Sequence, residues 1–398
     1  MKGIMRKSTY FTAIATLLMS ASTAVAVPVH INSGNPAYPF PQFLEYACGG
    51  NLGTENPEGL VHAEMERYIR KAYQQHANEF EYTGKEYKGI KYIWTHYKAA
   101  YDCSEGDGYA LLAAAYMADK VTFDGYWMAT HDKRRVHTKR YSDCSDNAPN
   151  YEFGQFAISD GADEGGNTAA DGDVDVALAL YVAYKQWGEF MLDEKGEKVL
   201  DACGNPISYK QEMINVIRGL VAMTNMDAGK NPARVNTGII GLDGYPRGGD
   251  TWKEQTDWAL QEENYITVDG VKVYPLFANP GGEKQHIDYC APAYFREFHD
   301  LFVEMADAVG ATAEWEAEQF RRAEASSDWL IGDLIGKNKT SLPTAGWNTV
   351  SRDGSETTYS NFQDGEDYRC PWRTISNYAW HGNPEYSWNP KTHQVEKG

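Results

Sequence analysis

Eight segments with helical periodicity, and almost no strand pattern between them, constrain this chain more than any other feature of its sequence. Apolar residues recur about every 3.6 positions in each segment, as expected for helices that bury one face. The segments span residues 60–80, 104–119, 122–131, 172–188, 208–224, 290–309, 313–330 and 369–381. We therefore expect an all-α fold in one continuous domain, because no Pro-rich or Ser-rich linker and no internal repeat divides the chain.

Two long stretches between these helices, residues 132–168 and 226–288, are rich in Gly, Asp and Tyr. Connections of this length without regular structure are uncommon in compact domains and are usually functional. We therefore expect a cleft on the loop face of the helical scaffold.

Charge and aromatic content narrow the class of ligand. The 398 residues carry a formal net charge of −19, which would repel nucleic-acid phosphates. The chain also contains 27 Tyr and 11 Trp, whose flat faces and polar edges suit stacking on sugar rings. We expect a neutral carbohydrate as the partner, and neither nucleic acid nor a membrane.

Residues 1–26 have the pattern of an export signal. Three basic residues within the first seven positions precede an apolar run over 13–19, and an Ala-Val-Ala triplet at 24–26 offers small residues for cleavage. The mature domain would then span 27–398 and be secreted or periplasmic. An N-terminal membrane anchor is the alternative, although the apolar run is shorter than the ~20 residues that cross a bilayer.

The six cysteines are widely spaced and contain no C-x-x-C pattern, so the sequence predicts neither a zinc site nor a redox motif. In an oxidising compartment they could form up to three disulfides, and the sequence does not choose among the possible pairings. These residues are Cys48, Cys103, Cys144, Cys203, Cys290 and Cys370.

An acidic motif opens the second predicted helix. Glu105 and Asp107 alternate with Gly106 and Gly108, shortly before the apolar run at 110–115. A carboxyl group buried at this point could keep its proton, but the helix N-terminus opposes that effect, so the direction of the pKa shift stays open. An ordinary N-terminal capping carboxylate is the alternative interpretation.

Three aspartates at alternate positions, Asp171, Asp173 and Asp175, open the fourth predicted helix. Helix capping can use one or two of them, but a third repels the others. A calcium loop also begins Asp-x-Asp-x-Asp, yet its required Gly and Glu positions are Val176 and Val182 here. We expect Asp173 and Asp175 to serve stability more than turnover.

The second acidic motif resembles the signature of glycoside hydrolase family 8. Residues 169–180 read Ala-Ala-Asp-Gly-Asp-Val-Asp-Val-Ala-Leu-Ala-Leu, and Ala183 and Trp187 follow at the expected distances. The resemblance covers nearly the whole signature and departs from it at Ala170, where the family usually has Ser or Thr.

Three further segments carry the same resemblance. Residues 104–109 are similar to the acid motif of the family, residues 291–294 to the start of a later barrel helix, and residues 369–373 to the helix that follows the general base. The similarity extends from about residue 60 to 382, with a long loop insertion around 253–285.

This resemblance implies an (α/α)6 barrel whose open cleft hydrolyses internal β-1,4 bonds of cellulose, mixed β-glucan, xylan or chitosan, with inversion and without a cofactor. Glu105 would be the general acid, and Asp171 would bind the sugar at the point of cleavage and hold its ring distorted. Inversion also needs a second carboxylate that activates water on the opposite face of the sugar. We expect a monomer that binds polysaccharide and no metal.

The general base is where the sequence departs from the family pattern. Many members have an Asp, usually after a Tyr, three residues before the position of Arg369, whereas here Glu366 follows Gly365. Glu366 is the first candidate on ungapped register, Asp367 is the second, and Asp364 is a more distant third. A solvated acidic loop is the alternative.

Several residues near the motifs are candidates for contacts with sugar. Trp252 lies where the family often has a tryptophan lining a subsite, and Trp258, Tyr294 and Arg369 are further candidates. Aromatic residues at helical spacing mostly pack in the core, which is the alternative for each of them.

A complete barrel of this type has twelve helices, whereas eight patterns precede His381 and a short tail follows it. We therefore expect a catalytic domain that lacks its last four helices, with a normally covered face of the ring exposed.

Two other classes of function stay open. A non-catalytic polysaccharide-binding protein would keep the cleft with a disabled base. A polysaccharide lyase on a similar helical toroid would need basic cleft residues for uronic acids, which the acidic charge of the chain disfavours. No G-x-S-x-G, H-E-x-x-H or P-loop pattern occurs.

Overall fold

The computed structural model describes residues 62–95, 104–136, 140–144, 157–158, 170–221, 239–240, 244–246, 248, 266–268, 271–273, 283–338, 347–351, 355–358 and 369–397. Each of the eight predicted segments overlaps one long helix, so the prediction of a helical scaffold is confirmed. Among the described residues a short ninth helix, α7, follows the sixth. The helices are α1 His62–Ala77, α2 Ser104–Tyr116, α3 Lys120–Arg134, α4 Ala170–Trp187, α5 Tyr209–Leu220, α6 Pro292–Glu304, α7 Ala306–Val309, α8 Ala313–Asn338 and α9 Arg369–His381.

The helix ends follow local chemistry. Pro292 starts α6, where its missing N–H and fixed φ are tolerated. The predicted helix 290–309 is interrupted at Met305, and Gly310, with a φ of 97°, then ends α7. Helix α8 continues eight residues past its predicted end at 330, whereas the predicted bounds of α9 agree with the structure.

Short antiparallel strands, which the sequence analysis did not predict, decorate the helices. The longest form a hairpin of β1 and β2 whose turn, Lys88-Gly89, has positive φ at both residues. The strands are β1 Phe80–Tyr87, β2 Ile90–Thr95, β3 Arg135–Val136, β4 Ala157–Ile158, β5 Ile266–Val268, β6 Val271–Val273, β7 Glu283–His286, β8 Trp347–Val350, β9 Thr357–Thr358, β10 Tyr386–Asn389 and β11 Gln394–Lys397.

The helices form an inner and an outer set. The N-terminal turns of α2, α4, α6 and α9 meet at one end of the molecule, while α3, α5 and α8 pack against α2, α4 and α6 respectively. One apolar core runs through this arrangement from α2 to α8. This layering is that of an (α/α) barrel, and it places the motif-bearing helix starts together.

Helix α9 carries large apolar side chains at the surface: Ile375, Tyr378 and Trp380 are exposed among the described residues. Cys144 and Cys203 form a disulfide, one of the pairings that the sequence left open. Within the described residues, none of the helices is both long and apolar enough to cross a membrane.

Candidate active site

Two glycines allow the starts of α2 and α4 to touch through their backbones. A Cβ atom on Gly172 would lie 2.5 Å from the carbonyl carbon of Ser104 and 2.8 Å from the nitrogen of Glu105. A Cβ atom on Gly108 would lie 2.9 Å from both Asp175 Cβ and Gly172 O. Because any side chain would force these backbones apart, the glycines of both motifs are required by the contact itself.

This contact brings Glu105 and Asp171 onto neighbouring helix starts. Each is the second residue of its helix, so each carboxylate lies at the positive end of its own helix dipole. Glu105 is half-buried, whereas Asp171 is 4% exposed and its Oδ1 accepts a hydrogen bond from the N–H of Gly172 at 3.0 Å. The two residues predicted as acid and sugar ligand therefore lie in one site.

A buried ion pair joins α9 to α4 directly beneath these residues. Arg373 Nη1 and Nη2 each donate to an oxygen of Asp175 at 3.1 Å, and neither side chain is exposed. Arg373 Nη2 also donates to the backbone carbonyl of Asp171 at 3.4 Å. Arg373 thus fixes the first turn of α4, on which the Asp171 carboxylate stands.

Burial and charge act in opposite directions on this pair. Burial raises the pKa of Asp175 to about 6, although Arg373 opposes the rise. The nearby charges of Asp171 and Asp288 add to it. Burial alone would lower the pKa of the Arg373 guanidinium, but Asp175 more than offsets that effect and the pKa rises. The arginine therefore stays charged and is the fixed cation of the site.

Aromatic rings surround the guanidinium. The centroids of Trp372 and Tyr294 lie 5.0 and 5.4 Å from Arg373 Cζ, within the range of cation–π attraction. Tyr109, from the acid motif, meets Trp372 at 5.9 Å. The rings connect the starts of α2, α6 and α9 around one cation.

Tyr294, a predicted sugar-binding residue, is only 1% exposed. Its ring stacks on Trp380 at 5.7 Å, and burial raises the pKa of its hydroxyl well above the ordinary value. The structure therefore places Tyr294 under the site, as support for Arg373, and its contact with sugar stays a prediction.

Several predicted site residues lie outside the described residues. These are the base candidates Glu366, Asp367 and Asp364, together with Trp252 and Trp258. The same holds for the signal segment 1–26. Arg369 is the first residue of α9, four positions before Arg373, so its helix reaches the site.

The motif at residues 369–373 includes Arg373, but the sequence analysis predicts no role for it. No sequence motif points to Asp288. Both are fully buried charged residues. The signal was present in part: Arg373 lies within a helix that also carries Trp372, Ile375 and Trp380, and a charged residue that such a helix buries needs a buried partner. The partner, Asp175, lies 198 positions away, which no local pattern can identify.

Residues 89–233 match the family model of glycosyl hydrolases family 8. This range contains both Glu105 and Asp171 with the helices that present them. Over this stretch the chain is similar to glycosyl hydrolases of family 8.

A beta-glucanase is also similar to part of this chain. The chain is 26% identical over 191 residues to a beta-glucanase of Niallia circulans, an alignment that covers 46% of this chain and 42% of that protein. Less than half of the relative's length is therefore matched.

Two solved structures of a reducing-end-xylose releasing exo-oligoxylanase have a similar fold. One is 16% identical, with a TM-score of 0.52, and the match covers 84% of this chain and 71% of that one. The other is also 16% identical, with a TM-score of 0.51 and coverage of 86% and 72%. At this identity the likeness supports the (α/α)6 barrel fold alone.

Proposed function

We propose that this chain is an exported, inverting glycoside hydrolase that cleaves internal β-1,4 bonds of a neutral plant polysaccharide, either xylan or cellulose and β-glucan. The backbone contact between α2 and α4 carries the proposal. It presents Glu105 and Asp171 side by side within the stretch that matches family 8.

Glu105 acts as the general acid in this proposal and protonates the leaving glycosidic oxygen. Its half-buried position supports the assignment, because a proton donor must be reachable by the sugar yet partly shielded from water. Asp171 grips the ring being cleaved. Its orientation is set by the bond from Gly172 and by the hold of Arg373 on its backbone, which suits binding better than proton transfer.

The test of Glu105 is its replacement by the amide. Glu105→Gln keeps the shape and loses the proton, so turnover on polysaccharide should fall by roughly 10²–10⁴ while binding changes little. Glu314→Gln is the matched control, because Glu314 is also the second residue of a helix, α8, but is exposed and remote in sequence from the motifs. Full activity in Glu105→Gln would remove this residue from the mechanism.

The general base is proposed to be Glu366, with Asp367 as its competitor. Adjacent side chains diverge, so only one can face a water on the far side of the sugar from the acid. If Glu366 is the base, Glu366→Ala should lose turnover and regain part of it with azide, while Asp367→Ala stays active. The opposite result would transfer the role to Asp367, and activity in both would point to Asp364.

Mode of attack and substrate need separate measurements. One relative is named a beta-glucanase and the similar fold belongs to an exo-oligoxylanase, so endo and exo cleavage must be compared directly. On xylan, barley β-glucan, carboxymethyl cellulose and chitosan, endo cleavage should lower viscosity long before many reducing ends form. NMR of the first product should show the α-anomer, and a β-anomer would contradict inversion.

A polysaccharide-binding protein without catalysis is the second candidate, favoured by the unusual Gly365-Glu366 sequence at the base position. Binding without release of reducing ends on any of the four polysaccharides would establish it. Ultraviolet absorbance from an unsaturated product end would instead indicate a lyase.

A further inference from the structure

A cavity of about 700 Å³ lies outside the inner ring of helices, between the β1–β2 hairpin, the C-terminal part of α3 and the turn at 140–142. None of the described carboxylates or aromatic residues of the candidate active site lines it. Its volume falls in the range of small-molecule sites. It therefore requires an explanation of its own.

One buried carboxylate lines this cavity and connects the elements around it. Asp132 on α3 accepts hydrogen bonds from Tyr92 Oη at 2.6 Å, from Tyr141 N at 2.7 Å and from Ser142 N at 3.2 Å. The hairpin, the helix and the turn are thereby tied to one side chain. Burial alone would raise the pKa of Asp132, but hydrogen bonds from His131, Ser142 and Tyr92 lower the pKa to about 2. The carboxylate that ties the three elements together is therefore ionised.

Two further features hold the turn in place. The imidazole of His131 stacks flat on Tyr141, with centroids 3.4 Å apart and planes within 3°. The disulfide from Cys144 to Cys203 fixes the end of the same turn covalently. The cavity is thus bounded by fixed elements before any ligand arrives, which lowers the entropic cost of binding.

The hairpin is irregular where it faces the cavity. The pairing register of β1 shifts between Tyr82 and Glu86, around Gly84 with a φ of 79°. Thr83 and Lys85 from this irregular stretch line the cavity. Bulges of this kind re-aim side chains and are common next to binding sites.

The lining combines aromatic rings with polar groups of both signs. Tyr82, Tyr92 and Trp94 supply the rings, and Tyr82 is 41% exposed. Acidic groups of the hairpin and α3 line the cavity together with Lys85 and Arg140, so the described lining carries charges of both signs. The Nε of Arg140 is buried and has no hydrogen-bond partner among the described residues. This chemistry fits a neutral ligand with many hydroxyls.

We infer that this hairpin cavity is a second carbohydrate site, which binds a segment of neutral β-linked polysaccharide apart from the cleavage centre, with Tyr82 stacking on a sugar ring and Arg140 donating to its hydroxyls. The inference rests on the proposed function for its ligand class. Its role would be to hold a long chain against the enzyme while another segment enters the cleft.

Affinity electrophoresis of the full chain in gels containing xylan or barley β-glucan tests this site. All variants carry Glu105→Gln, so that the polymer survives the run. Tyr82→Ala and Arg140→Ala should each weaken the apparent affinity at least threefold. Tyr68→Ala is the matched control, because Tyr68 is an exposed tyrosine of α1 that does not line the cavity, and its affinity should be unchanged.

Hydrolysis of a six-sugar oligosaccharide separates this site from the cleft. With Glu105 restored, Tyr82→Ala should keep kcat/KM on the hexasaccharide within twofold of wild type and lose activity on the polymer. Unchanged polymer affinity in both cavity variants, or no retardation of the parent chain, would overturn the inference. Parallel losses on hexasaccharide and polymer would also overturn it, by making the cavity part of the cleft.

The failure of the proposed function has a different signature. A chain that hydrolyses neither polymer nor hexasaccharide, but whose polymer affinity still falls with Tyr82→Ala, would retain the hairpin site and lose the catalytic assignment.

Discussion

Two buried carboxylates, each facing an arginine, behave differently in this molecule. At the candidate active site, Asp175 receives two hydrogen bonds of 3.1 Å from Arg373, and both side chains are fully buried. Between α6 and α8, Glu324 is also buried, but Arg296 Nη1 lies 3.9 Å from its Oε1 and the same guanidinium contacts Glu385 at 3.4 Å. One arginine is dedicated to its partner, and the other is shared.

The pKa values follow this difference. Burial raises the pKa of both carboxyls, to about 6 for Asp175 and to about 8 for Glu324, and the arginine opposes the rise in each case. At neutral pH, Asp175 is therefore mainly ionised and Glu324 mainly protonated. The carboxyl held by short bidentate contacts thus has the lower pKa, while the nearby charges of Asp328, Asp300 and Glu385 add to the rise at Glu324.

The largest effect should come from breaking the dedicated pair. Arg373→Met leaves Asp175 buried without its cation, which should cost about 3–5 kcal/mol of the free energy of unfolding in urea and abolish turnover. Adding Asp175→Leu should recover most of the stability and none of the turnover.

Arg296→Met is the matched change at the shared pair. It should lower the free energy of unfolding by about 1 kcal/mol or less, because Glu324 carries a proton and Arg296 is partly exposed. Equal losses in the two arginine variants would show that pairing geometry does not distinguish the regions.

A smaller effect should follow from filling the glycine contact at the site. Gly172→Ala must push the start of α4 away from Ser104 and Glu105, which should lower the free energy of unfolding by about 1–3 kcal/mol. We also expect reduced turnover, because the two carboxylates move apart. Gly332→Ala in α8 is the control: no atom lies within 4 Å of the added methyl, so a neutral or slightly stabilising change is expected. Thermal unfolding together with kcat compares the two, and normal activity in Gly172→Ala would separate the contact from function.

The last prediction concerns how stability changes with pH. The folded-state pKa of Glu324, about 8, lies above its ordinary value of 4.5, so the folded chain binds this proton more tightly than the unfolded chain does. Its contribution therefore lowers stability as pH rises from about 4.5 to about 8, by at most about 1.4 kcal/mol per pH unit.

Glu324→Gln should remove this contribution to the slope. The measurement is the difference between variant and wild type from pH 6 to 8, because Asp175, with a pKa of about 6, titrates in part of this range in both proteins. Glu318→Gln, in an exposed pair with Arg321 on the same helix, should leave the slope of wild type unchanged. A Glu324→Gln curve parallel to that of wild type would mean that the carboxyl is already ionised at pH 6.

The helical scaffold could be predicted because its signal is local. Each long helix buries one face or all faces. The spacing of apolar residues within a window of about fifteen residues predicts such a helix, as for α9. The start of the site could be predicted for the same reason, since Glu105, Asp171 and their glycines lie within two short motifs.

Features that depend on distant parts of the chain could not be predicted. Strand β1 reads Phe-Glu-Tyr-Thr-Gly-Lys-Glu-Tyr and is exposed over six of its eight residues, so it shows no apolar alternation; it pairs because β2 packs on α3. Tyr294 looks like a sugar platform in the sequence, but the stack with Trp380 of α9 buries it. Burial of this kind is decided by which helices meet.

The disulfide between Cys144 and Cys203 also has a consequence for the unfolded chain. It closes a loop with a sequence separation of 59, and this loop contains the whole of α4 with Asp171 and Asp175. Closing a loop of that length removes conformational entropy from the unfolded state, an effect of about 4 kcal/mol in favour of the folded one. The helix that carries the aspartate motif therefore folds from a far smaller set of chain conformations than it would without this bond.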